Sequence, residues 1–162
     1  MKSLLKLFFI IFFFILVSCA RNTDKIIEQG VSKELAQLRE KQLSEINYSV
    51  FFDIPDSLTE EINGKVTIDF CFSKSEKKPL IIDFQNSKDK VNGVKLNNED
   101  VNYRFINQHI IIPARKLVKG NNIIEIGFVA TDRALNRNSE YLYTLFVPDR
   151  ASTAFHVSIS PR

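Results

Sequence analysis

The chain has 162 residues, of which 44% are hydrophobic and 25% are charged, and its formal net charge is +3. This composition supplies enough apolar residues for the core of one domain of ordinary size. The basic residues are scattered rather than arranged in a stripe, so the sequence excludes the electrostatic footprint of a nucleic-acid-binding protein and no nucleic-acid partner is predicted.

Residues 1–18 are predicted to be a secretory signal peptide. Lys2 and Lys6 precede an unbroken apolar run over residues 7–17. A basic start followed by a short apolar stretch is the layout of such a signal. The run is shorter than the roughly 20 apolar residues that cross a bilayer, so a cleaved signal is favoured over the alternative of an uncleaved anchor helix.

The signal ends at Cys19, which we predict to be a lipid anchor. Residues 16–19 read Leu-Val-Ser-Cys and resemble the lipobox of bacterial lipoproteins. The resemblance implies export from the cytoplasm and attachment to a membrane of the bacterial cell envelope. With Cys19 lipidated, Cys71 is the only other cysteine, so no internal disulfide is expected. Cys71 is interpreted as a small strand residue, free or partly buried.

A polar leader over residues 19–45 is predicted to contain a short amphipathic helix, with Asp24 as a candidate cap. Docking of this helix on its own domain, or simple solvation, is favoured over binding of a partner. Its apolar residues recur at steps of three and four and would form one stripe on the helix: Ile27, Val31, Leu35 and Leu38.

From residue 46 the apolar period changes to two, which predicts a series of half-buried strands. Residues 46–54 and 66–72 alternate apolar and polar side chains. Further apolar or alternating runs cover residues 80–84, 91–96, 101–106, 109–112, 123–130 and 141–147.

Three pairs of turn-forming residues punctuate these runs and are interpreted as tight turns: Asn63-Gly64, Asn92-Gly93 and Gly120-Asn121. About eight short strands with close turn signals indicate an all-β domain over residues 46–155, built as an antiparallel sandwich or a pair of curved sheets.

The residue patterns of common catalytic sites are absent from the sequence. Zinc hydrolases need three protein ligands, often from His-Glu-x-x-His on one helix. The chain has only His109 and His156, far apart, so no metal ligand, catalytic residue or substrate-binding residue is predicted. His109 lies in a strand-like run and is interpreted as an exposed or edge-strand histidine. No nucleophile is placed beside a base, and no glycine-rich phosphate loop occurs.

A set of segments nevertheless carries a resemblance to one known family. The most specific part is Leu-Asn-Arg-Asn at residues 135–138 followed by Tyr-Leu-Tyr-Thr-Leu-Phe-Val-Pro-Asp-Arg-Ala at residues 141–151. The other segments lie at residues 48–55, 62–68, 79–84, 96–97, 109–113 and 117–122. In this order they resemble the N-terminal domain of aminopeptidase N-type zinc peptidases, which are gluzincins, and residues 135–151 look like the stretch that leads into the family motif Phe-Pro-Cys-[Phe/Trp]-Asp-[Glu/Gln]-Pro.

The resemblance implies a saddle-like antiparallel β-sandwich that is not catalytic by itself. In the family, the zinc ligands, the catalytic Glu and the Gly-Ala-Met-Glu-Asn motif lie beyond this domain, so the chain is expected to hold no cofactor and to lack the catalytic domain that would be its partner. Many members lend an acidic residue to the substrate amine just before the Phe-Pro motif. Alignment through Pro148 puts Val147 there, so a complete enzyme would bind the amine differently.

The family pattern stops after Phe155, and residues 156–162 are predicted to be an out-of-frame tail. Codons for Phe-Pro-Cys-Phe-Asp-Gln-Pro that lose one C from a CCA proline codon read Phe-His-Val-Ser-Ile-Ser-Pro, which is the sequence of residues 155–161. The chain is then a truncated, inactive fragment of an exported aminopeptidase. The alternative is a stand-alone β-sandwich lipoprotein that binds peptides or a protein partner along a sheet edge.

Overall fold

The structure, a computed structural model, describes residues 26–73, 78–143 and 157–158. The chain there is mostly β. The helices are α1 (Lys33–Gln42) and the single turn α2 (Asp132–Leu135), with 3-10 turns at Lys88–Lys90 and Ala114–Lys116. The strands are β1 (Leu43–Asp53), β2 (Ile62–Phe72), β3 (Leu80–Phe84), β4 (Val91–Leu96), β5 (Glu99–Asp100), β6 (Arg104–Ile106), β7 (His109–Ile112), β8 (Gly120–Ala130) and β9 (Val157–Ser158).

These strands form two antiparallel sheets. The first has the order β1-β2-β8-β4-β5 and the second the order β6-β7-β3-β9. Pairing of β2 with β8 is continuous over eleven residues, from Ile62 opposite Ala130 to Phe72 opposite Gly120. The prediction of an all-β domain with antiparallel sheets is confirmed at this level.

One hydrophobic core lies between the two sheets. In β2 the even-numbered residues from Ile62 to Phe72, including Gly64, are buried and the odd-numbered ones are not, which confirms the alternation predicted for this strand. Side chains from both sheets meet in the core: Val66, Ile68 and Phe70 of β2, Ile124, Ile126 and Phe128 of β8, Ile82 and Phe84 of β3, and Ile110 and Ile112 of β7.

The second sheet is also covered on its other face. Ile81 and Ile111 point away from the core and are 2% and 4% exposed. Residues 26–42 lie over them, which makes every residue of β3 and β7 buried and explains why both strands are continuous apolar runs. This covering segment, residues 26–42, is called the outer layer below.

The outer layer accounts for the apolar stripe of the leader. The helix is shorter than the predicted stripe and begins only at Lys33. It is capped by the Ser32 hydroxyl, which accepts a hydrogen bond from the Leu35 amide at 3.1 Å. Asp24 lies outside the described residues. Leu35 and Leu38 of the helix pack with Ile26 and Ile27, which precede it, against the second sheet. The helix therefore docks on its own domain, one of the two favoured interpretations.

The predicted tight turns are largely wrong. Asn63-Gly64 and Asn92-Gly93 lie inside β2 and β4, and only Gly120 uses a positive φ, 91°, where β8 begins. Gly64 serves a different purpose, because a Cβ there would overlap the ring of Phe128. Its lack of a side chain lets the aromatic ring lie over the strand.

Two hairpins turn instead at Asn97-Asn98, between β4 and β5, and at Asn107-Gln108, between β6 and β7. All four residues have positive φ, between 49° and 68°. Two consecutive residues of this conformation define the type I′ turn, whose twist matches that of the flanking strands. Gln108 is not a usual turn residue, so the second hairpin carries a weak signal in the sequence.

The remaining strand predictions differ in extent. β3, β4 and β7 have the predicted bounds, whereas the run at 101–106 forms a strand only from Arg104. Of the run at 141–147, Leu142 makes an isolated bridge with Arg137, and residues 144–147 lie outside the described residues. β9 belongs to the proposed out-of-frame tail and pairs with Asp83 and Phe84 of β3. Backbone pairing does not depend on the reading frame, so the tail remains a prediction.

Candidate functional site

A buried charged cluster joins the outer layer to the second sheet. The Asp83 carboxylate in β3 accepts two hydrogen bonds from Arg39 in α1, at 3.0 Å from Nη1 and 2.6 Å from Nη2. Arg39 Nη2 also donates to the Ile81 carbonyl at 3.0 Å. The Arg39 side chain is 1% exposed. This bidentate geometry is the strong form of an arginine–carboxylate pair.

His109 completes the cluster. Its Nδ1 lies 3.0 Å from Asp83 Oδ1, and its Nε2 lies 2.8 Å from the Glu28 carbonyl oxygen in the outer layer. Both ring nitrogens thus face oxygen atoms, so the imidazole lies between Asp83 of β3 and the backbone of the outer layer. The interpretation of His109 as exposed or edge-strand is wrong: it is 1% exposed, in a strand flanked by β6 and β3.

Asp83 is held in its ionised form by this arrangement. Burial alone would raise the pKa of Asp83, but the hydrogen bonds and positive charges of His109 and Arg39 outweigh burial and keep the pKa below its ordinary 3.8. The negative charge therefore persists at neutral pH and neutralises part of the positive charge around it.

Two members of the cluster, Asp83 and His109, line a cleft of about 510 Å³ between the outer layer and the turn before β7. Besides Asp83 and His109, its described lining comprises Gln29, Gly30, Val31, Gln85 and Gln108. No hydroxyl or thiol side chain is among these described residues, so none of them is a side-chain nucleophile beside His109 and Asp83. The geometry supports a structural role: the cluster fastens the outer layer to β3 and β7.

A second cleft, of about 920 Å³, opens at the other end of β7. Arg104, which begins β6, and Arg115, which follows β7, both line it. Tyr103 lies between polar Asn102 and Arg104 in the same lining, and burial raises the pKa of its phenol, which stays protonated. The other lining residues are apolar: Pro79, Ile111, Pro113 and Ala114.

The third feature is the outer strand β1 of the first sheet. Among the described residues β1 pairs only with β2, so its other edge is open. Phe51 on this strand is 61% exposed and lines a shallow cleft of about 570 Å³ with Lys65 and Thr67 of β2. At the start of β1, Glu45 has a φ of 53° beside a register shift, and such a bulge weakens strand addition only locally.

The residues singled out in the sequence fall mostly elsewhere. Cys19, the signal peptide and Val147 lie outside the described residues. Cys71 is a partly buried free thiol in β2, as predicted. Within the described ranges, no group of three or more His, Cys, Asp or Glu residues is arranged to hold a metal ion. No helix in that part of the chain is both long and apolar enough to cross a bilayer.

The charged cluster was missed by the sequence reasoning, although β3 contains a signal for it. Asp83 is the one charged residue in the run Leu80–Phe84, and a carboxylate inside a buried strand requires a cationic partner. Nothing local shows that the partner is Arg39, which lies 44 positions away.

Comparison with known proteins adds no relative. No protein-family profile and no curated protein sequence matches this chain. The function is therefore inferred from the residues and their geometry.

Proposed function

We propose that this chain is the N-terminal, non-catalytic β-domain of an exported, membrane-anchored zinc aminopeptidase, and that it hydrolyses no peptide by itself. The observation that carries the proposal is the ordered series of segments over residues 46–155 that resembles this domain, above all residues 135–151. Zinc and the peptidase chemistry would be supplied by the catalytic domain of the complete family member.

The arrangement of the strands supports the proposal. The family domain is a saddle-like antiparallel β-sandwich, and the described residues form two antiparallel sheets with one shared core. The segments at residues 62–68, 79–84 and 109–113 coincide with β2, β3 and β7, which are central strands rather than peripheral loops. The resemblance therefore falls on the part of the chain that builds the core.

The lipid anchor at Cys19 is part of the same proposal. Six residues lie between Cys19 and Ile26, the first residue of the outer layer, so seven Cα-to-Cα steps join the two. Because an extended chain spans at most about 3.6 Å per residue, this connection is at most about 25 Å long. A lipidated Cys19 would hold the domain close to the membrane, with the outer layer on the membrane side.

The test is to sequence the locus across the codons for Phe155 to Arg162 and about 2 kb beyond, which is the length needed for further domains of ordinary size. We expect that restoring one base opens a frame with His-Glu-x-x-His and a downstream Glu. The protein from the restored gene should hydrolyse leucine p-nitroanilide in the presence of zinc, and the 162-residue chain should not. A closed frame with no peptidase sequence refutes the proposal.

A second candidate function is a stand-alone lipoprotein that binds a peptide or protein partner. The open edge of β1, with the exposed ring of Phe51 beside it, favours this candidate, because an added strand would gain backbone hydrogen bonds and one apolar contact. If the downstream frame is closed, protection of β1 amides from hydrogen exchange by a bound partner, lost in Phe51→Asp, would establish it. Unchanged exchange with every partner tried would exclude it.

A further inference from the structure

The cleft between Arg104 and Arg115 concentrates positive charge. Neither arginine has an ion-pair partner among the described residues, and no Asp or Glu is among the described residues that line the cleft. Two like charges facing one cleft repel each other unless an anion lies between them. A cleft lined by one sign of charge also raises the local concentration of the opposite ion.

The second sheet holds the backbone on which the two arginines lie. Arg104 is paired in register with Ile111 of β7, and Arg115 follows the same strand after Pro113, in a 3-10 turn whose Leu117 amide donates to the Ala114 carbonyl at 3.2 Å. β7 is itself paired on both sides, with β6 and β3. The backbone positions of Arg104 and Arg115 are therefore set by the sheet rather than by a long loop.

We propose that this cleft binds a phosphate monoester, whose phosphate lies between the guanidinium groups of Arg104 and Arg115. A phosphate monoester carries close to two negative charges at neutral pH, which matches two arginines, whereas a carboxylate carries one. Arginine also offers the paired donors that phosphate oxygens accept. Asn102 and the protonated Tyr103 are further polar groups in the lining.

The rest of the lining defines the remainder of the ligand. Pro79, Pro113 and Ala114, all partly exposed, form an apolar wall, and a volume of about 920 Å³ is in the range of small-molecule sites. The ligand therefore has an apolar or aromatic body attached to the phosphate. Soluble phosphate esters and the headgroup of a lipid such as phosphatidic acid share this chemistry, and the experiment distinguishes them.

The test titrates phenyl phosphate into the full chain in nonionic detergent and follows the backbone amide signals by NMR. We expect saturable shifts at residues 102–104 and 111–115. Loss of one charge-assisted contact in Arg104→Gln or Arg115→Gln should weaken binding about tenfold. The matched control Lys95→Gln, which removes an exposed charge from β4, should leave the affinity within about twofold. Phenyl sulfate, with one negative charge, should bind about tenfold more weakly.

A second arm places the full chain in lipid nanodiscs with and without phosphatidic acid. Shifts at the same amides that require phosphatidic acid and both arginines identify the lipid headgroup as a source; their absence, with phenyl phosphate still binding, identifies a soluble ester. The proposal is overturned if neither ligand produces saturable shifts. It is also overturned if the arginine variants bind like the wild type, or if sulfate and phosphate bind equally.

Discussion

Replacing Arg39 by methionine tests whether the charged cluster fastens the outer layer. Methionine keeps most of the aliphatic stem but removes the two hydrogen bonds to Asp83 and the one to the Ile81 carbonyl. The Asp83 carboxylate then loses its guanidinium partner in a largely buried position. Breaking a buried ion pair by removing one partner costs about 3–5 kcal/mol.

The lower end of this range applies to Arg39→Met, because the Asp83 side chain is 10% exposed and water reaches it, and because His109 still faces it. A loss of about 3 kcal/mol is a large part of the 5–15 kcal/mol that stabilises a typical domain. With an m-value of about 1.5 kcal/mol/M, the urea midpoint should fall by about 2 M. Urea unfolding followed by far-UV circular dichroism measures this shift.

Two further variants make the result interpretable. Arg39→Met with Asp83→Leu removes both charges, and the double variant should be more stable than Arg39→Met alone, because no uncompensated carboxylate remains. Arg115→Met removes an exposed arginine and should change the free energy of unfolding by less than about 0.5 kcal/mol. A fastening role for the cluster is refuted if the free energy of unfolding of Arg39→Met lies within about 1 kcal/mol of the wild-type value, or if the loss in the double variant equals the sum of the losses in its single variants.

Two other predictions follow from the same structure. The pKa of Asp83 is lower in the folded chain than its ordinary 3.8, so the unfolded chain binds a proton at Asp83 more tightly. The stabilisation from the ionised Asp83 is therefore fully present above the ordinary pKa of the unfolded chain, and it is lost as the pH falls through the pKa of the folded chain. Urea unfolding over a pH series should therefore show a steeper acid loss in the wild type than in Asp83→Asn, and equal slopes would contradict the assignment. Gly64→Ala places a methyl group on the Phe128 ring and should destabilise the fold by about 1–3 kcal/mol. Gly93→Ala, whose Cβ would meet nothing within 4 Å, is the control; thermal melts that rank the two alike would refute this explanation of Gly64.

The strands of this protein are readable from its sequence because their signals are local. The alternation in β2 and the apolar runs of β3 and β7 follow directly from burial on one face or on both. The turns are harder to predict from the sequence, because a glycine can adopt a positive φ in a turn or make room for a neighbouring side chain. Gly64 is required by the ring of Phe128 and not by a turn, and nothing near Gly64 in the sequence reveals this contact.

The charged cluster depends on contacts between distant parts of the chain. Residues 19–45 are predicted to be a leader, and Arg39 within them donates hydrogen bonds to Asp83, while the Glu28 carbonyl faces His109, 81 positions away. A helical stripe shows that a face is apolar, but it does not show which surface covers that face. A fragment beginning at residue 46 would leave Ile81 and Ile111 exposed.

The outer layer is far in sequence from the strands that it covers, and this separation affects folding kinetics. Residues 26–42 are made first, but the strands that they cover, β3 and β7, lie about 40 to 80 residues further on, and contacts across such separations form only after the intervening chain has been ordered. We expect the outer layer to close last and to open first, by a local detachment that leaves the two sheets intact. Changes in the cluster should then accelerate unfolding and leave the folding rate nearly unchanged.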